Sequence, residues 1–455
     1  MSRFSIINPA DETLVQQIEH LELEQVDDAI ERARQAQRRW ARLAPAERAA
    51  HLRAFAAAVD ADSEYLARLE TQNSGHPITQ SRWEAGHVRD VLTYYSAAPE
   101  RMLGRQIPVA NGIDLTFHEP LGVVGIITPW NYPMTIASWG FAPALAAGNA
   151  VVLKPAEYTP RTSLRLAELG LAAGLPDGLL QVLPGAGPVV GARFVSHPDV
   201  RKVVFTGSTR TGKAVMAGCA DQVKRLTLEL GGKSANIVFA DSDLELAAAS
   251  APSAVFENAG QDCCARSRIL VERSVYDRFL ELLEPAVKAF TVGDPVSEKT
   301  DMGPLISAAH RAKVQSYVPD DHTLAFRGTA PGGPGFWFAP TVLTPDRASR
   351  AATEEIFGPV VSVFPFDDEA DAIAFANSGD YGLSGSIFTT DLARALRVSR
   401  AVESGTLSVN SHSSVRYSTP FGGFKQSGFG RELGPDAPLA FTDTKNVFIS
   451  LPPTS

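Results

Sequence analysis

Short apolar runs that alternate with helix-like patterns are the feature that most limits how this chain can fold. The clearest runs are VVGII at 123–127, AVVL at 150–153, KVVF at 202–205 and NIVF at 236–239. Each is long enough for a buried strand and too short for a buried helix, and apolar residues between the runs recur at helical spacing. Such alternation is typical of a doubly wound α/β domain with a largely parallel sheet.

The same alternation restarts after Cys264, which predicts a second α/β domain. ILV at 269–271 and VVSVF at 360–364 are its clearest strands, and a helix is expected from Ser274. A chain of 455 residues is also too long for one hydrophobic core. The predicted fold class is therefore α/β, with two doubly wound, Rossmann-like domains.

Other segments depart from this alternation. Helical spacing predicts helices over 26–43, 46–59 and 81–103. Ser242 with Glu245 predicts a capping box at the start of a further helix. Residues 106–118 alternate apolar and polar side chains around Asn111-Gly112, which predicts a hairpin, and a last strand is expected over 446–451.

Charge and cysteine content limit the binding partners and the compartment. The 42 basic and 51 acidic residues give a net charge of −9, which argues against a nucleic-acid or anionic-membrane partner. The uncharged stretch 120–153 contains three internal prolines, so it is expected inside the protein rather than in a membrane. Three cysteines without a disulfide framework, and the lack of a secretion signal, favour the cytoplasm. Nine histidines show no ligand spacing, so no metal is expected.

One glycine-rich segment leaves an alternative function open. GSTRTGKA at 207–214 follows a predicted strand and opens a helix, as the phosphate-binding loop of a nucleoside triphosphatase does. Ala214 argues against that function, because the loop needs a Ser or Thr hydroxyl there to bind magnesium. A glycine turn at a helix N-terminus still suits the pyrophosphate of another nucleotide.

The interpretation of Cys263 depends on four other segments of the sequence. A single cysteine is most often a small buried apolar residue, and Cys264 and Cys219 are interpreted in that way. Cys263, however, lies in FENAGQDCCARSR and is accompanied by TPWNYP at 128–133, LELGGKS at 228–234, EEIFGPV at 354–360 and PFGGFKQSGFGRELG at 420–434. In this order, the segments resemble the NAD(P)-dependent aldehyde dehydrogenase superfamily, over about residues 8–450.

The resemblance implies oxidation of an aldehyde to a carboxylic acid through a covalent intermediate. Cys263 is the expected nucleophile, because it lies two residues after Gln261 in the family's motif. Asn131 and the main-chain N–H of Cys263 are expected to stabilise the oxyanion, and Glu229 is the expected general base for thioester hydrolysis. Besides aldehyde oxidation and nucleoside triphosphate hydrolysis, the sequence leaves a third function open, that of a thiol hydrolase or acyltransferase without hydride transfer.

A nicotinamide dinucleotide cofactor also follows from the resemblance. The expected cofactor contacts are Thr128, Trp130, Lys154, Glu157, Gly207, Ser208, Glu355 and Phe357. Glu157 favours NAD, because a carboxylate binds a ribose 2′-hydroxyl and repels a 2′-phosphate. NADP remains an alternative, because Lys154 can pair with a phosphate and Arg210 stands where the family usually carries Glu.

The substrate is expected in a tunnel, again by resemblance. Its expected lining residues are Tyr132, Ile136, Trp139, His412, Val415, Arg416 and Phe421. The succinate-semialdehyde branch has an arginine where this chain has Trp139, which argues against that substrate. Residues 410–434 resemble members that act on aminoaldehydes, including γ-glutamyl-aminobutyraldehyde. Arg416 is either a partner for a carboxylate tail at the tunnel mouth or an ordinary surface arginine.

The family's domain plan completes the expectations. By resemblance, residues 1–104 and 121–230 form the NAD-binding domain and residues 231–430 form the catalytic domain. Residues 105–120 and 431–455 form a small β extension that joins subunits, so a homodimer or homotetramer is expected.

Overall fold

A computed structural model describes residues 3–318, 323–413 and 415–452. The strands, in chain order, are β1 (Arg3–Ile7), β2 (Leu14–Glu19), β3 (Gln106–Ile107), β4 (Gly112–Pro120), β5 (Val123–Ile127), β6 (Ala150–Lys154), β7 (Leu180–Val182), β8 (Val200–Thr206), β9 (Arg225–Glu229), β10 (Ala235–Val238), β11 (Arg268–Glu272), β12 (Leu324–Arg327), β13 (Thr341–Leu343), β14 (Val360–Phe366), β15 (Tyr381–Gly382), β16 (Ser384–Phe388), β17 (Thr406–Val409), β18 (Phe424–Lys425), β19 (Gly428–Phe429) and β20 (Thr442–Ser450).

The α-helices, in chain order, are α1 (Leu23–Trp40), α2 (Pro45–Ala61), α3 (Ser63–Ser74), α4 (Ile78–Ser96), α5 (Pro133–Ala146), α6 (Arg161–Ala172), α7 (Ala192–Ser196), α8 (Thr209–Cys219), α9 (Leu244–Phe256), α10 (Tyr276–Ala289), α11 (Ala308–Gln315), α12 (Arg350–Thr353), α13 (Glu369–Asn377) and α14 (Leu392–Ala401). Single 3₁₀ turns cover Ala98–Glu100, Ala220–Gln222, Arg273–Val275 and Ala437–Phe441, a left-handed turn covers Glu257–Gly260, and a π-helical turn covers Gly187–Gly191.

The first large sheet has the strand order β19-β9-β8-β5-β6-β7 and is parallel except for β19. The chain runs outward from β5 to β6 and β7 on one side, and it occupies β8 and β9 on the other. The direction of winding therefore reverses between β5 and β8, and the crevice beyond the carboxyl ends of these two strands is where such sheets bind ligands.

The second large sheet has the order β12-β13-β14-β11-β10-β16-β17 and is parallel except for β12. Its central strands, such as β10 and β16, are fully buried, as expected for a sheet covered on both faces. Two sheets of this kind confirm the predicted fold class.

A three-stranded sheet, β20-β4-β3, lies apart from the two large sheets. The predicted hairpin is confirmed by the antiparallel pairing of β3 with β4, and Asn111 adopts the left-handed conformation at φ 60° that its turn requires. The predicted last strand is also present, although it begins earlier, at Thr442, and pairs with β4 along its whole length.

Several helix boundaries differ from the predictions, and α1, for example, covers Leu23–Trp40 rather than 26–43. Helix α4 ends at Ser96 rather than near residue 103, because Pro99 cannot continue the helical hydrogen bonds and the chain turns at Ala98–Glu100. Asp243, not Ser242, caps α9: its carboxylate accepts a 2.9 Å hydrogen bond from the N–H of Leu246. The Ser242 hydroxyl instead donates to the carbonyl of Phe239.

Helix α5 is the central part of the uncharged stretch 120–153, which was predicted to lie inside the protein. All of its residues are buried, and the Trp40 indole of α1 donates a 2.8 Å hydrogen bond to the carbonyl of Leu145. The helix begins at Pro133, the last residue of the segment TPWNYP. Over the described ranges, we find no helix with both the length and the apolar character needed to cross a bilayer.

Candidate active site

A cavity of about 660 Å³ reaches Cys263 and Glu229. It is lined by most of the predicted tunnel residues, namely Tyr132, Ile136, Trp139, His412, Val415 and Phe421. Arg416, the remaining predicted tunnel residue, is exposed and does not belong to the cavity lining. One cavity therefore gathers residues that lie up to about 300 positions apart in the chain.

Cys263 is half-buried and follows an unusual turn after α9. Asn258, Ala259 and Gly260 all have left-handed backbone conformations, with φ of 50°, 54° and 67°. Gly260 is required, because a Cβ there would lie 2.2 Å from the carbonyl oxygen of Gly358. Consecutive left-handed residues store strain and persist only where the surroundings fix them, as they often are at functional sites.

The side chains around the turn supply that support. The Asn258 amide donates to the main-chain carbonyl of Asn131 at 2.6 Å, and the Gln261 amide donates to the carbonyl of Asn258 at 3.0 Å. In return, the Asn131 side-chain amide donates a 3.0 Å hydrogen bond to the carbonyl of Gln261. One N–H of the Asn131 amide therefore fixes its orientation beside the cysteine turn, and the second N–H is available to a ligand.

The thiol of Cys263 is protonated at neutral pH in this arrangement. Its pKa is raised well above the ordinary value by the hydrogen bond with Cys264 and by burial. The sulfur atoms of both cysteines and one carboxylate oxygen of Asp262 lie within 4.8 Å of one another, and this acid opposes thiolate formation as well. Formation of a reactive thiolate therefore needs a base or a positive charge brought to the site.

Glu229 is the last residue of β9, and its carboxyl group lines the same cavity. Within the described ranges, neither carboxylate oxygen has a hydrogen-bond partner. Burial and the nearby Glu432 raise its pKa well above the ordinary value. A buried, unpartnered carboxyl group is costly to keep, and such perturbed groups cluster at functional sites.

Glu432 is a cavity residue that the sequence analysis missed. Its backbone forms a two-way bridge with Phe421, with N···O distances of 2.7 and 2.8 Å, and burial raises the pKa of its carboxyl to about 8. Its carboxylate oxygens, like those of Glu229, lack hydrogen-bond partners in the described part of the chain. The available signal was its place in FGRELG, within the segment 420–434 that was noted only as a family motif.

Two glycines bring three of the sequence motifs into contact. A Cβ at Gly232 would lie 2.3 Å from the carbonyl oxygen of Cys263, and a Cβ at Gly231 would lie 2.5 Å from the carboxylate of Glu355. The Glu355 carboxylate accepts a 2.8 Å hydrogen bond from the N–H of Gly232. The segment LELGGKS therefore needs both glycines, so that Glu229, Glu355 and Cys263 can approach one another.

The predicted cofactor residues of the first sheet lie at one edge. Thr128 follows β5, Lys154 ends β6 and Gly207 follows β8, all at the carboxyl ends of parallel strands. The Thr128 hydroxyl is buried without a hydrogen-bond partner among the described residues, as expected of a group that a ligand satisfies. Ser208 caps α8, and Glu157 accepts a hydrogen bond of 3.2 Å from the N–H of Gly187.

An aromatic group stands beside these residues. The rings of Trp130 and Phe357 meet edge to face with centroids 5.3 Å apart, and the ring of His310 lies 5.2 Å from Trp130. Phe357 has a left-handed φ of 61°, and its carbonyl oxygen lies 2.6 Å from Nε2 of His310. The structure therefore links Trp130 of the first sheet to Phe357 in the segment EEIFGPV, both of which were predicted cofactor contacts.

The cavity lining also combines acids with aromatic rings. Glu257 and Asp262 line it, and burial together with Asp262 raises the pKa of Glu257 to about 7. Trp83, another lining residue that the sequence did not suggest, is half exposed and stacks on His87. Neither acid was predicted in the cavity, because no pattern before Cys263 shows which side chains the folded chain directs inward.

Comparisons with known proteins agree with this geometry. The family model described as "Aldehyde dehydrogenase family" matches residues 1–447. Betaine aldehyde dehydrogenase 2 of Rhizobium meliloti is 41% identical over 98% of this chain and 94% of its own length. Human cytosolic 10-formyltetrahydrofolate dehydrogenase is 40% identical over 97% of this chain, which spans only 51% of that protein. A crystal structure of betaine aldehyde dehydrogenase from Staphylococcus aureus with NAD+ has a TM-score of 0.96 and 37% identity, covering 100% of this chain and 92% of that chain.

Proposed function

This chain belongs to the aldehyde dehydrogenase family, and from that membership we propose that it oxidises an aldehyde to a carboxylic acid with NAD through a thioester on Cys263. The observation that carries the proposal is that one cavity is lined by both Cys263 and Glu229, while the Asn131 amide is hydrogen-bonded two residues before the cysteine. Because the chain belongs to this family, we prefer aldehyde oxidation to the triphosphatase and thiol-hydrolase functions considered from the sequence.

In the first step, the Cys263 thiol releases its proton to solvent through the cavity, the resulting thiolate attacks the aldehyde carbon, and the carbonyl electrons move to oxygen. The second N–H of the Asn131 amide and the main-chain N–H of Cys263 stabilise that oxyanion, and both positions are fixed before substrate binds. The nicotinamide ring, when bound, accepts the hydride that leaves the same carbon. Loss of the hydride leaves the acyl group bound to Cys263 as a thioester.

In the second step, water attacks the thioester carbon and the carbon–sulfur bond breaks. Glu229 takes the proton from this water, for which its carboxyl group must be ionised. Because burial and Glu432 raise the pKa of Glu229, its ionised form is less favoured than that of an ordinary glutamate. Glu432 lies in the same cavity and influences Glu229 electrostatically, so the two carboxyl groups titrate as a pair.

The residues at the carboxyl edge of the first sheet fit a dinucleotide. Gly207 and Ser208 would hold the pyrophosphate at the start of α8, and Lys154 with Glu157 would hold the adenosine ribose. Trp130, Glu355 and Phe357 would enclose the nicotinamide end. NAD is the preferred cofactor, because Glu157 is anchored by the N–H of Gly187 where a 2′-phosphate would meet it. Lys154 and Arg210 leave NADP as an alternative.

The cavity supports an aminoaldehyde or another cationic aldehyde as substrate. Glu257 and Asp262 contribute carboxyl groups to its lining beside the guanidinium of Arg266, and it is also lined by the aromatic rings of Trp83, Tyr132, Trp139 and Phe421. Aromatic faces and carboxylates are the groups that bind organic cations. Two similar proteins are named betaine aldehyde dehydrogenases, which agrees with such a substrate. Arg416 is exposed and outside the cavity lining, so it supports a carboxylate tail, such as that of γ-glutamyl-aminobutyraldehyde, only at the tunnel mouth.

The three-stranded sheet supports a homodimer or homotetramer. Strand β20 lies at the edge of this sheet, and its Phe448 and Ile449 are about half exposed. A long edge strand with apolar side chains is suited to pairing with a second copy. The division into an NAD-binding domain, a catalytic domain and this extension, at the boundaries given above, stays a prediction.

A panel of aldehydes tests the proposed substrate class. Matched aldehydes of equal length, with a trimethylammonium, neutral or carboxylate end, are compared by NADH absorbance, with NAD and NADP in parallel. We expect kcat/KM to follow the order cation, neutral, anion, and Glu257→Gln to reduce the preference for the cation. Equal or better turnover of the carboxylate substrate contradicts the substrate class, and no oxidation of any aldehyde contradicts the function.

A further inference from the structure

His87 contacts two aromatic walls of the cavity from outside. It lies on α4, is 7% exposed and does not belong to the cavity lining. Its Nε2 accepts a 2.9 Å hydrogen bond from the indole N–H of Trp139 on α5. Its ring also stacks on Trp83, one helical turn earlier on α4, with centroids 5.0 Å and planes 23° apart. Trp83 and Trp139 both line the cavity, so His87 connects two parts of the wall without facing the substrate.

The hydrogen bond from Trp139 requires one particular form of His87. An indole nitrogen can only donate, so Nε2 of His87 must be the acceptor. An imidazolium carries a proton on both nitrogens and cannot accept, so the ring is neutral and its proton lies on Nδ1. Burial favours the same form, because it lowers the pKa of His87 to about 4 against the weaker opposing effect of Asp90.

The same hydrogen bond limits what Trp139 can offer a substrate. An indole has a single N–H, and His87 uses it. What remains for a ligand is the aromatic surface of the ring, which attracts cations and apolar groups. This surface cannot donate a hydrogen bond to a carboxylate or to a hydroxyl oxygen. The Phe421 ring packs against the indole with centroids 5.1 Å apart and further limits its rotation.

Other rings hold the imidazole in place. It meets the Trp139 ring nearly edge to face, with centroids 6.1 Å apart, and the Tyr417 ring lies 6.5 Å from it. Tyr417 in turn packs on Tyr94 of α4, at 5.4 Å between centroids. Contacts from α4, from α5 and from the loop that carries Tyr417 therefore fix the acceptor nitrogen before a substrate binds.

We propose that neutral His87 is a positioning residue that sets substrate selectivity. By accepting the N–H of Trp139, it leaves this wall of the cavity purely aromatic, and so favours an aldehyde with a cationic end over one with an anionic end. The inference rests on the proposed function and deepens it, because it assigns part of the charge selectivity to a residue outside the cavity lining.

The first test is His87→Ala, assayed with matched aldehydes that carry a trimethylammonium, neutral or carboxylate end. The substitution removes the acceptor and opens a space between Trp83 and Trp139, so the indole N–H becomes free to bind a carboxylate. The kcat/KM for the carboxylate relative to the cation should rise about 10-fold, as expected for one hydrogen bond to a charged group. The change should fall on KM rather than kcat, because the interaction is made equally before and during the reaction.

A rescue variant and a matched control separate this role from a structural one. His87→Gln offers a side-chain carbonyl as the acceptor and should retain the parental ratio of the two substrates. His51→Ala is the control, because His51 also lies beside a tryptophan, Trp40, whose N–H donates instead to the carbonyl of Leu145. A merely structural His87 would lower thermal stability and leave the substrate ratio unmoved. An unmoved ratio in folded His87→Ala overturns the proposal.

A spectroscopic measurement keeps the proposal testable if His87→Ala does not fold. The chain has five tryptophans, so a protein labelled with nitrogen-15 in tryptophan gives five indole N–H signals, and Trp139→Phe identifies the one from Trp139. In His87→Leu, which fills most of the vacated volume, the proton of this signal should move upfield because its hydrogen bond is lost. An unchanged signal contradicts the contact on which the proposal depends.

A double-mutant cycle separates this inference from the proposed function. In a Trp139→Phe background there is no indole N–H to release, so His87→Ala should leave the substrate ratio unchanged. A full change of the ratio in that background overturns the action of His87 through Trp139. A parental enzyme that oxidises none of the aldehydes overturns the proposed function, whereas active His87 variants with the parental ratio overturn this inference alone.

Discussion

Glu229 lies directly opposite Gly428 in the antiparallel pair formed by β9 and β19. The pairing continues at the next residue, where the N–H of Leu230 donates a 2.9 Å hydrogen bond to the carbonyl of Ser427. Strand β9, which ends in the proposed base, therefore also fixes the segment that carries Phe421 and Glu432. One short ladder of hydrogen bonds therefore positions cavity residues that lie about 200 positions apart in the sequence.

Replacement of Gly428 by alanine should disturb both sides of the cavity. A Cβ at this position would lie 1.9 Å from the carbonyl oxygen of Leu228, and the φ of +120° is strained for any other residue. We expect a loss of about 1–3 kcal/mol in the free energy of unfolding and a lower kcat. Chemical denaturation and steady-state kinetics measure the two effects. Gly332→Ala, at a site with no atom within 4 Å of the added Cβ, is the matched control; equal effects of the two substitutions contradict the prediction.

The two adjacent cysteines should differ completely in function. Cys263 lines the cavity half-buried, whereas Cys264 is buried with only 4% of its surface exposed. Cys263→Ala should abolish aldehyde oxidation, and Cys264→Ala should retain most of it. Loss of the Cys264 thiol also removes the main cause of the raised pKa of Cys263, so alkylation of Cys263 by iodoacetamide should become faster at pH 7. Oxidation that survives in Cys263→Ala but not in Cys264→Ala reverses the assignment.

Much of this site was predictable from sequence, because its motifs are local. The strands of both large sheets, the hairpin and the segments around Asn131, Glu229 and Cys263 each carry a pattern within about ten residues. Local patterns of this kind do not predict which groups from distant parts of the sequence lie close together in the fold. Glu432, for example, raises the pKa of Glu229 although the two residues lie about 200 positions apart in the sequence. Neither partner marks the other in the sequence.

Arg416 shows the limit of assignment by position. The tunnel was expected to include both Val415 and Arg416. Val415 lines the cavity, whereas Arg416 is exposed and does not belong to the lining. The resemblance to the family identifies the segment that lines the tunnel, whereas the direction of each side chain in it depends on the local backbone.

Cofactor preference should depend on Glu157. The carboxylate of this residue repels a 2′-phosphate, and Lys154, buried at the same edge, would pair with one. Glu157→Gln should therefore raise kcat/KM for NADP relative to NAD. Initial rates with each cofactor at saturating aldehyde measure the ratio. Glu168→Gln, an exposed acid on α6, should leave it unchanged. An unchanged ratio in Glu157→Gln would place cofactor selection at another residue, such as Arg210.

Glu432 should control the pH dependence of deacylation. Burial and then the charge of Glu432 raise the pKa of Glu229, so the rate of thioester hydrolysis is lost as the pH falls through that raised value. Glu432→Gln removes the charge and should move this acidic limb to lower pH. Pre-steady-state kinetics at a series of pH values separate acylation from deacylation. Glu281→Gln, an exposed acid on α10, serves as the control, and identical limbs in Glu432→Gln and the parental enzyme contradict the coupling.

The most direct test of the covalent cycle is the intact mass of Glu229→Gln after it is mixed with NAD and an aldehyde. Without the base, one equivalent of NADH should form in a burst. The protein mass should then increase by one acyl group, and peptide mapping should place that group on Cys263. Steady turnover at the parental rate without an adduct, or an adduct on Cys264 instead, would contradict the proposed division of labour between Cys263 and Glu229.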